Sequence, residues 1–144
     1  MILIDSYGWI EYFADGPLAE SYAAFIEEAD AENTITPTII IYEVYKRIKS
    51  TKGEQKALEA YAQMSRTKIV ELTSSISLEA ADISLTLDLG MADSIVAATA
   101  KAYDAEIVTS DEHLKSLERV KFINKQSENS QNAGQGDTKI RPPF

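Results

Sequence analysis

Cysteine is absent from this 144-residue chain, and histidine occurs once, at His113. The first absence excludes disulfides, a thiol nucleophile, iron–sulfur clusters and cysteine-based zinc sites. A single imidazole excludes both a two-histidine ribonuclease mechanism and a histidine-rich zinc centre. A Ser-His-Asp triad could use only His113, and no Gly-x-Ser-x-Gly elbow accompanies it. The six glycines, at positions 8, 16, 53, 90, 134 and 136, build no phosphate-cradling loop of the Walker or dinucleotide type. No apolar run approaches the ~20 residues that span a bilayer. No basic segment precedes an apolar one at the N-terminus, as a signal peptide requires. These absences describe a cytoplasmic protein without a membrane partner. Positive charge is also scarce, with 14 Lys and Arg against 23 Asp and Glu, a net charge of −9. A general nucleic-acid coat protein should be basic. What remains for chemistry is oxygen, and the acids must supply it.

With 44% hydrophobic and 26% charged residues, the chain has an ordinary globular composition and the length of one domain. Met1 to Ile4 reads as a buried strand. Leu18, Tyr22, Phe25, Ile26 and Ala29 recur at helical spacing, predicting a helix over roughly 18–30. Ile35 lies in a short strand, after which Thr36-Pro37 offers an N-cap and a first-turn proline. The helix that follows buries Ile40, Ile41, Val44, Tyr45 and Ile48, and Gly53 breaks it. Another helix runs from about Glu54 to Ser65, and Lys68 to Leu72 is strand-like. Ser77 to Asp88 is helical through Ile76, Ala80, Ile83 and Leu87, with Gly90 able to cap its end. Met91 to Tyr103, Glu106 to Val108, Asp111 to Leu117 and Val120 to Ile123 give helix, strand, helix, strand. The alternation implies an α/β protein with a central, mainly parallel sheet covered by helices on both faces. Residues 1–124 form this domain. Residues 125–144, rich in Gln, Asn, Ser and Gly, read as a flexible polar tail.

Four carboxylates sit against apolar runs. Asp5 follows Ile2-Leu3-Ile4, Glu43 interrupts Ile39 to Tyr45, Asp93 opens a nearly uncharged stretch, and Asp111 follows Ile107-Val108 by three residues. An unpaired buried charge is costly, so acids so placed need a partner. In parallel sheets, sites form at the carboxyl ends of strands near a switch point. Asp5 and Asp111 follow strands at those ends, and Glu43 and Asp93 ride helices near their N-terminal turns. The topology therefore allows all four to converge on a hard divalent cation, which points to metal-dependent phosphodiester chemistry. Each acid also has a plain alternative. Asp93 could N-cap its helix, Asp111 could do so with Thr109-x-x-Glu112 as a capping box, and Glu43 could pair with Arg47 four residues on. Lys46, Arg47, Lys49, Lys52 and Lys56 crowd the turns after Glu43. They fit either a phosphate-contacting surface or a solvated helix face.

Asp5-Ser6, the lone Glu43 in an Ile-rich helix, the segment Ala92-Asp93-Ser94-Ile95-Val96-Ala97-Ala98-Thr99-Ala100 and Val108-Thr109-Ser110-Asp111 form an ordered set. This set resembles the PIN-domain ribonucleases and, in size and layout, the VapC-type toxins of toxin–antitoxin pairs. The resemblance covers about residues 1–124. It implies a three-layer α/β/α sandwich, a Mg²⁺ or Mn²⁺ site, cleavage of single-stranded RNA by a metal-activated water, a homodimer and a cognate antitoxin. By position, Asp5, Glu43, Asp93 and Asp111 correspond to the family's acidic quartet, and Ser6 and Thr109 to polar neighbours that orient it. Lys46, Arg47, Lys49 and Lys52 become candidates for RNA contact. One departure is Tyr7, where a small polar residue is more usual. His113 reads as a surface residue, and Trp9, Tyr12 and Phe13 as packing or interface residues. Three other classes stay open. A haloacid-dehalogenase-type phosphohydrolase needs a second Asp at position 7. A receiver-like domain needs paired acids after the first strand and a Lys near the last. The third is a non-catalytic PIN-like regulatory domain.

Overall fold

The computed structural model describes residues 1–124; the polar segment 125–144 lies outside the described residues. Five strands, β1 (Ile2–Ile4), β2 (Thr34–Pro37), β3 (Lys68–Val70), β4 (Glu106–Thr109) and β5 (Val120–Phe122), form one sheet in the order β3-β2-β1-β4-β5. Every neighbouring pair is parallel. Parallel strands need long crossovers, and helices supply them in pairs. They are α1 (Ser6–Ala14) and α2 (Ala19–Glu27), α3 (Thr38–Lys52) and α4 (Glu54–Met64), then α5 (Ser74–Leu87) and α6 (Met91–Ala102). The first two crossovers run outward from β1 in one direction and the third returns across it. Right-handed connections therefore put α1 to α4 on one face of the sheet and α5 and α6 on the other. The result is the α/β/α sandwich that the alternation implies. Its strand order differs from the 2-1-3-4-5 order of receiver-type folds.

The central strands are apolar because both their faces are covered. Leu3, Ile4, Ile35 and Val108 are wholly buried. Against them pack Ile26, Ile40, Val44, Ile48 and Met64 from one layer, and Ile76, Ala80, Ile95, Val96 and Ala98 from the other. The small residues of α6 let that helix lie close to the sheet, and Ser94 to Ala100 are all buried. By contrast, α5 packs chiefly on α6 alone, so its apolar stripe is only partly covered. Ile76 and Ala80 are buried there, whereas Leu87, expected inside, is half exposed. Ile41 and Tyr45 of α3 are likewise only half-buried.

Several local signals act differently from the sequence expectation. Pro37 ends β2 and stands at the N-cap position of α3, outside the helix. The Thr36 hydroxyl, instead of capping α3, meets the Thr67 hydroxyl at 2.6 Å. At the end of α5, Asp88 adopts the left-handed conformation (φ 58°, ψ 43°) and closes the helix onto Ser84, which leaves Gly90 to precede α6. Asp tolerates that conformation through its short polar side chain, so no glycine is needed. The helix expected over 18–30 stops at Glu27, and the one expected after Asp111 is a short 3₁₀ turn, Glu112–Leu114. Trp9 is buried and stacks on Phe13 with ring centroids 6.4 Å apart, and the Tyr12 hydroxyl donates to Glu27.

Gly8 on α1 is needed for a close approach. A Cβ there would lie 2.5 Å from the ring of Tyr22 and 2.9 Å from Ile4. Tyr22 has no room to yield, since it is fully buried and its hydroxyl donates to Ser110 at 2.9 Å. Gly8→Ala should therefore destabilise the fold by about 1–3 kcal/mol, despite the better helix propensity of alanine. Urea midpoints of the two proteins measure this. A variant as stable as the parent would show that α1 can move off Tyr22 at no cost.

Candidate functional site

The chain turns from one side of β1 to the other between β1 and β4, which makes their carboxyl ends the switch point of the sheet. Register pairs Ile4 with Val108, and the Asp5 N–H donates to the Val108 carbonyl at 3.0 Å. Asp5 and Thr109 thereby become neighbours across the crevice, although 104 residues separate them. Asp5 is the N-cap of α1; its Oδ1 accepts the Ser6 N–H at 2.8 Å and its Oδ2 accepts the Thr109 hydroxyl at 2.8 Å. The Thr109 oxygen in turn accepts the Asp111 N–H at 2.9 Å. One hydroxyl ties two of the acids together.

Glu43 reaches the crevice from α3, where it is half-buried and shares the cavity wall with Ser6. Asp93 projects from the first turn of α6, whose N-cap is Gly90, so Asp93 is not a capping residue. Asp111 does cap: its Oδ1 accepts the His113 N–H at 2.9 Å and opens the 3₁₀ turn. The structure thus brings all four acids to one cavity of about 390 Å³, together with Ser6, Tyr7, Ile10, Tyr42, Lys46, Arg47 and Ser50. Of the four candidate cationic contacts, Lys46 and Arg47 line this cavity. Lys49 faces a groove beside it, and Lys52 lies at the exposed end of α3.

Asp5, Glu43 and Asp93 are placed where their charges are poorly tolerated. Burial pushes the Asp5 carboxyl from its ordinary 3.8 up to about 7. The Thr109 and Ser6 hydrogen bonds oppose that rise, while the charges of Asp93 and Asp111 add to it. Glu43 is also raised, first by burial and then by Asp93 and Asp111. Burial and Asp111 raise Asp93, against a lowering by His113. Clustered acids shifted upward in this way are a common property of cation sites and catalytic sites. Ligating atoms of Asp93, Asp111 and His113 lie within 4.8 Å of one another. The donors are carboxylate oxygens with one exposed imidazole at the rim, a set that could hold a metal ion.

Three features escape the sequence. His113 is the surface residue that the sequence indicates, and in addition its Nδ1 lies 3.1 Å from the Asp111 carboxylate because the 3₁₀ turn folds it back. The Tyr22–Ser110 hydrogen bond braces the loop between Thr109 and Asp111 from below. No local pattern announces it, since the partners lie 88 residues apart. Tyr42 also lines the cavity, and its place one residue before Glu43 and four before Lys46 is the signal that could have found it.

Fold and site together define an α/β protein with an oxygen-rich acidic cavity at the switch point of a parallel sheet. The family model of the PIN domain matches residues 2–120, and the chain belongs to that family. Among solved structures it is similar to a toxin–antitoxin complex from Klebsiella pneumoniae, with 21% identity over 83% of this chain and 95% of that one, at a TM-score of 0.69. It is also similar to VapC20 of Mycobacterium tuberculosis, a toxin that cleaves the sarcin–ricin loop (11% identity, 99% and 100% coverage, TM-score 0.66). A third is PAE2754 from Pyrobaculum aerophilum (18% identity, 93% and 96% coverage, TM-score 0.65). At these identities the likeness shows the fold. A comparison with curated proteins found no match. Family membership sets aside the phosphohydrolase and receiver alternatives.

The raised Asp5 carboxyl has a consequence for stability. From about pH 4 to about pH 7, the folded metal-free protein retains a proton that the unfolded chain has released. Its contribution therefore falls as pH rises through that window and levels off above it. Asp5→Asn abolishes this titration, so the variant should gain on the parent between about pH 5 and about pH 8, by up to a few kcal/mol. Urea midpoints in EDTA at both pH values give the difference. Equal differences at both would contradict the burial of an ionisable carboxyl at this position.

Proposed function

We propose that this protein is a divalent-metal-dependent endoribonuclease that cleaves single-stranded RNA and is the toxin of a type II toxin–antitoxin pair. The observation that carries the proposal is the convergence of four carboxylates, from four separate segments, in one cavity at the switch point of a PIN-family sheet. VapC20, similar in fold, is a sarcin–ricin loop cleaving toxin, and several other solved neighbours are toxin–antitoxin complexes. These likenesses support the reading for this chain.

In this reading Asp5, Glu43, Asp93 and Asp111 hold Mg²⁺ or Mn²⁺. Such a cation activates the attacking water and neutralises charge developing at phosphorus. The protein's own part is positional. Thr109 and the Ser6 backbone fix both oxygens of Asp5, and the Asp111 N–H is anchored on Thr109. Lys46 and Arg47, at the cavity wall, meet the phosphates flanking the cut. The cytoplasm, where RNA is available, is the proposed place of action, with a homodimer as the working form. An antitoxin that inserts an Arg or Lys among the four acids satisfies them by charge-assisted hydrogen bonds and excludes the cation.

Cleavage of single-stranded RNA should require Mg²⁺ or Mn²⁺, stop in EDTA, and leave 5′-phosphate and 3′-hydroxyl ends. Asp5→Asn and Asp93→Asn should each cost several powers of ten in rate. Binding of RNA without cleavage at millimolar Mn²⁺ would select a non-catalytic regulatory domain instead. Products with 2′,3′-cyclic phosphate would refute the water-attack route.

The same cluster predicts a thermal signature. Without metal, Asp93→Asn should melt above the parent, because one repelling charge is gone. Added Mn²⁺ should raise the melting temperature of the parent and raise that of the variant much less. A parent without any metal shift, paired with a variant that melts lower, would make the acids structural.

A further inference from the structure

Beside the acidic cavity runs a second depression of about 660 Å³ between α3 and α4, walled chiefly by carbon. Tyr42 and Tyr45 line it from α3, Leu58 and Tyr61 from α4. Tyr42, Lys46 and Ser50 border both hollows, so the two form one continuous trench. Tyr42 is 58% exposed and Tyr61 46%, so both rings present area to solvent. Cations are interleaved with the rings. Lys46 Nζ lies 3.3 Å from the Tyr42 hydroxyl, and Lys49 Nζ lies 5.4 Å from the centre of the Tyr45 ring.

We propose that this groove is a base-stacking subsite, in which a nucleobase next to the scissile linkage lies against Tyr42 while Lys46 and Lys49 hold the adjoining phosphates. The inference rests on the ribonuclease reading and deepens it. Rings alternating with cations are how proteins track a single strand, because every base has a flat face and every linkage a charge. Charge places the strand here rather than elsewhere. The chain is net −9, and Lys46, Arg47, Lys49 and Lys52 form a basic run on the helix that also carries Glu43. An anionic polymer approaching a cavity of four acids needs such a rail on one side. The apolar helix of a protein partner could also fill a carbon-walled groove. It would give no reason for lysines beside Tyr42 and Tyr45 or for walls shared with the cavity.

The test combines steady-state cleavage of a mixed-sequence single-stranded RNA of about twelve nucleotides with binding of the same fluorescein-labelled RNA to the inactive Asp93→Asn protein. Tyr42→Ala should raise KM, and Kd in the Asp93→Asn background, by roughly 5- to 100-fold, with a far smaller fall in kcat. Tyr42→Phe, which keeps the ring, should restore both. The advantage of the long RNA over a dinucleotide in kcat/KM should shrink in Tyr42→Ala, because a dinucleotide does not reach the groove. Circular dichroism verifies that each variant is folded, and the Mn²⁺-induced melting shift that the cavity is intact in those that keep Asp93. Should the parent neither cleave nor bind RNA, the ribonuclease reading falls and takes the subsite with it. Should the parent cleave while Tyr42→Ala keeps its KM and Kd, the subsite alone is wrong. Unchanged RNA binding with an altered oligomeric state in light scattering would make the groove a protein interface.

Discussion

The pairing of β1 with β4 is the constraint on which the rest depends. It sets Ile4 beside Val108, and the next residue on each strand is then Asp5 or Thr109. Because side chains alternate across a strand, a slip of one residue would turn Thr109 away from Asp5. It would also release the Asp111 N–H from the Thr109 oxygen. The register is in turn held by wholly buried Leu3, Ile4 and Val108, whose burial any slip would reverse. Polar geometry at the crevice is thus specified by apolar packing one residue away.

The acids set a cost against that packing. Asp5 is almost inaccessible, yet it has only two protein donors and the fields of two neighbouring carboxylates. Burial and like charge both favour its neutral form, and a cation would reverse the preference. Loading of a cation there would therefore release the proton. Tyr22 and Gly8 keep this strain from relaxing. The tyrosine supports Ser110 from beneath, and the missing Cβ lets α1 close on its ring.

Much of this was legible in the chain because its signals are local. A three-residue apolar run ending in Asp, and a strand followed by Thr-x-Asp, locate Asp5 and Asp111 at carboxyl edges without any knowledge of the fold. The alternation of periods then implies the parallel sheet that brings those edges together. Signals failed where a neighbour far along the chain decides the outcome. Thr36-Pro37 has the composition of a helix start, but Thr67 on the neighbouring segment claims the threonine hydroxyl. Leu87 completes an apolar stripe, but α5 is an outer helix with one partner. His113 carries no local mark of its place beside Asp111, which comes from a turn only three residues long.

Strand order also dictates when the cavity can come into being. The first strand made is the central one, and its partner β4 begins more than a hundred residues later. Until Thr109, Ser110 and Asp111 have left the ribosome, Asp5 has neither its hydroxyl donor nor its neighbouring acid, and the Tyr22 hydroxyl has no Ser110 to meet. Contacts of such long sequence separation form late, after the entropy of closing the intervening loop has been overcome. A growing chain therefore carries its four acids dispersed among separate segments. An unfinished chain lacks the assembled acidic cavity by topology alone.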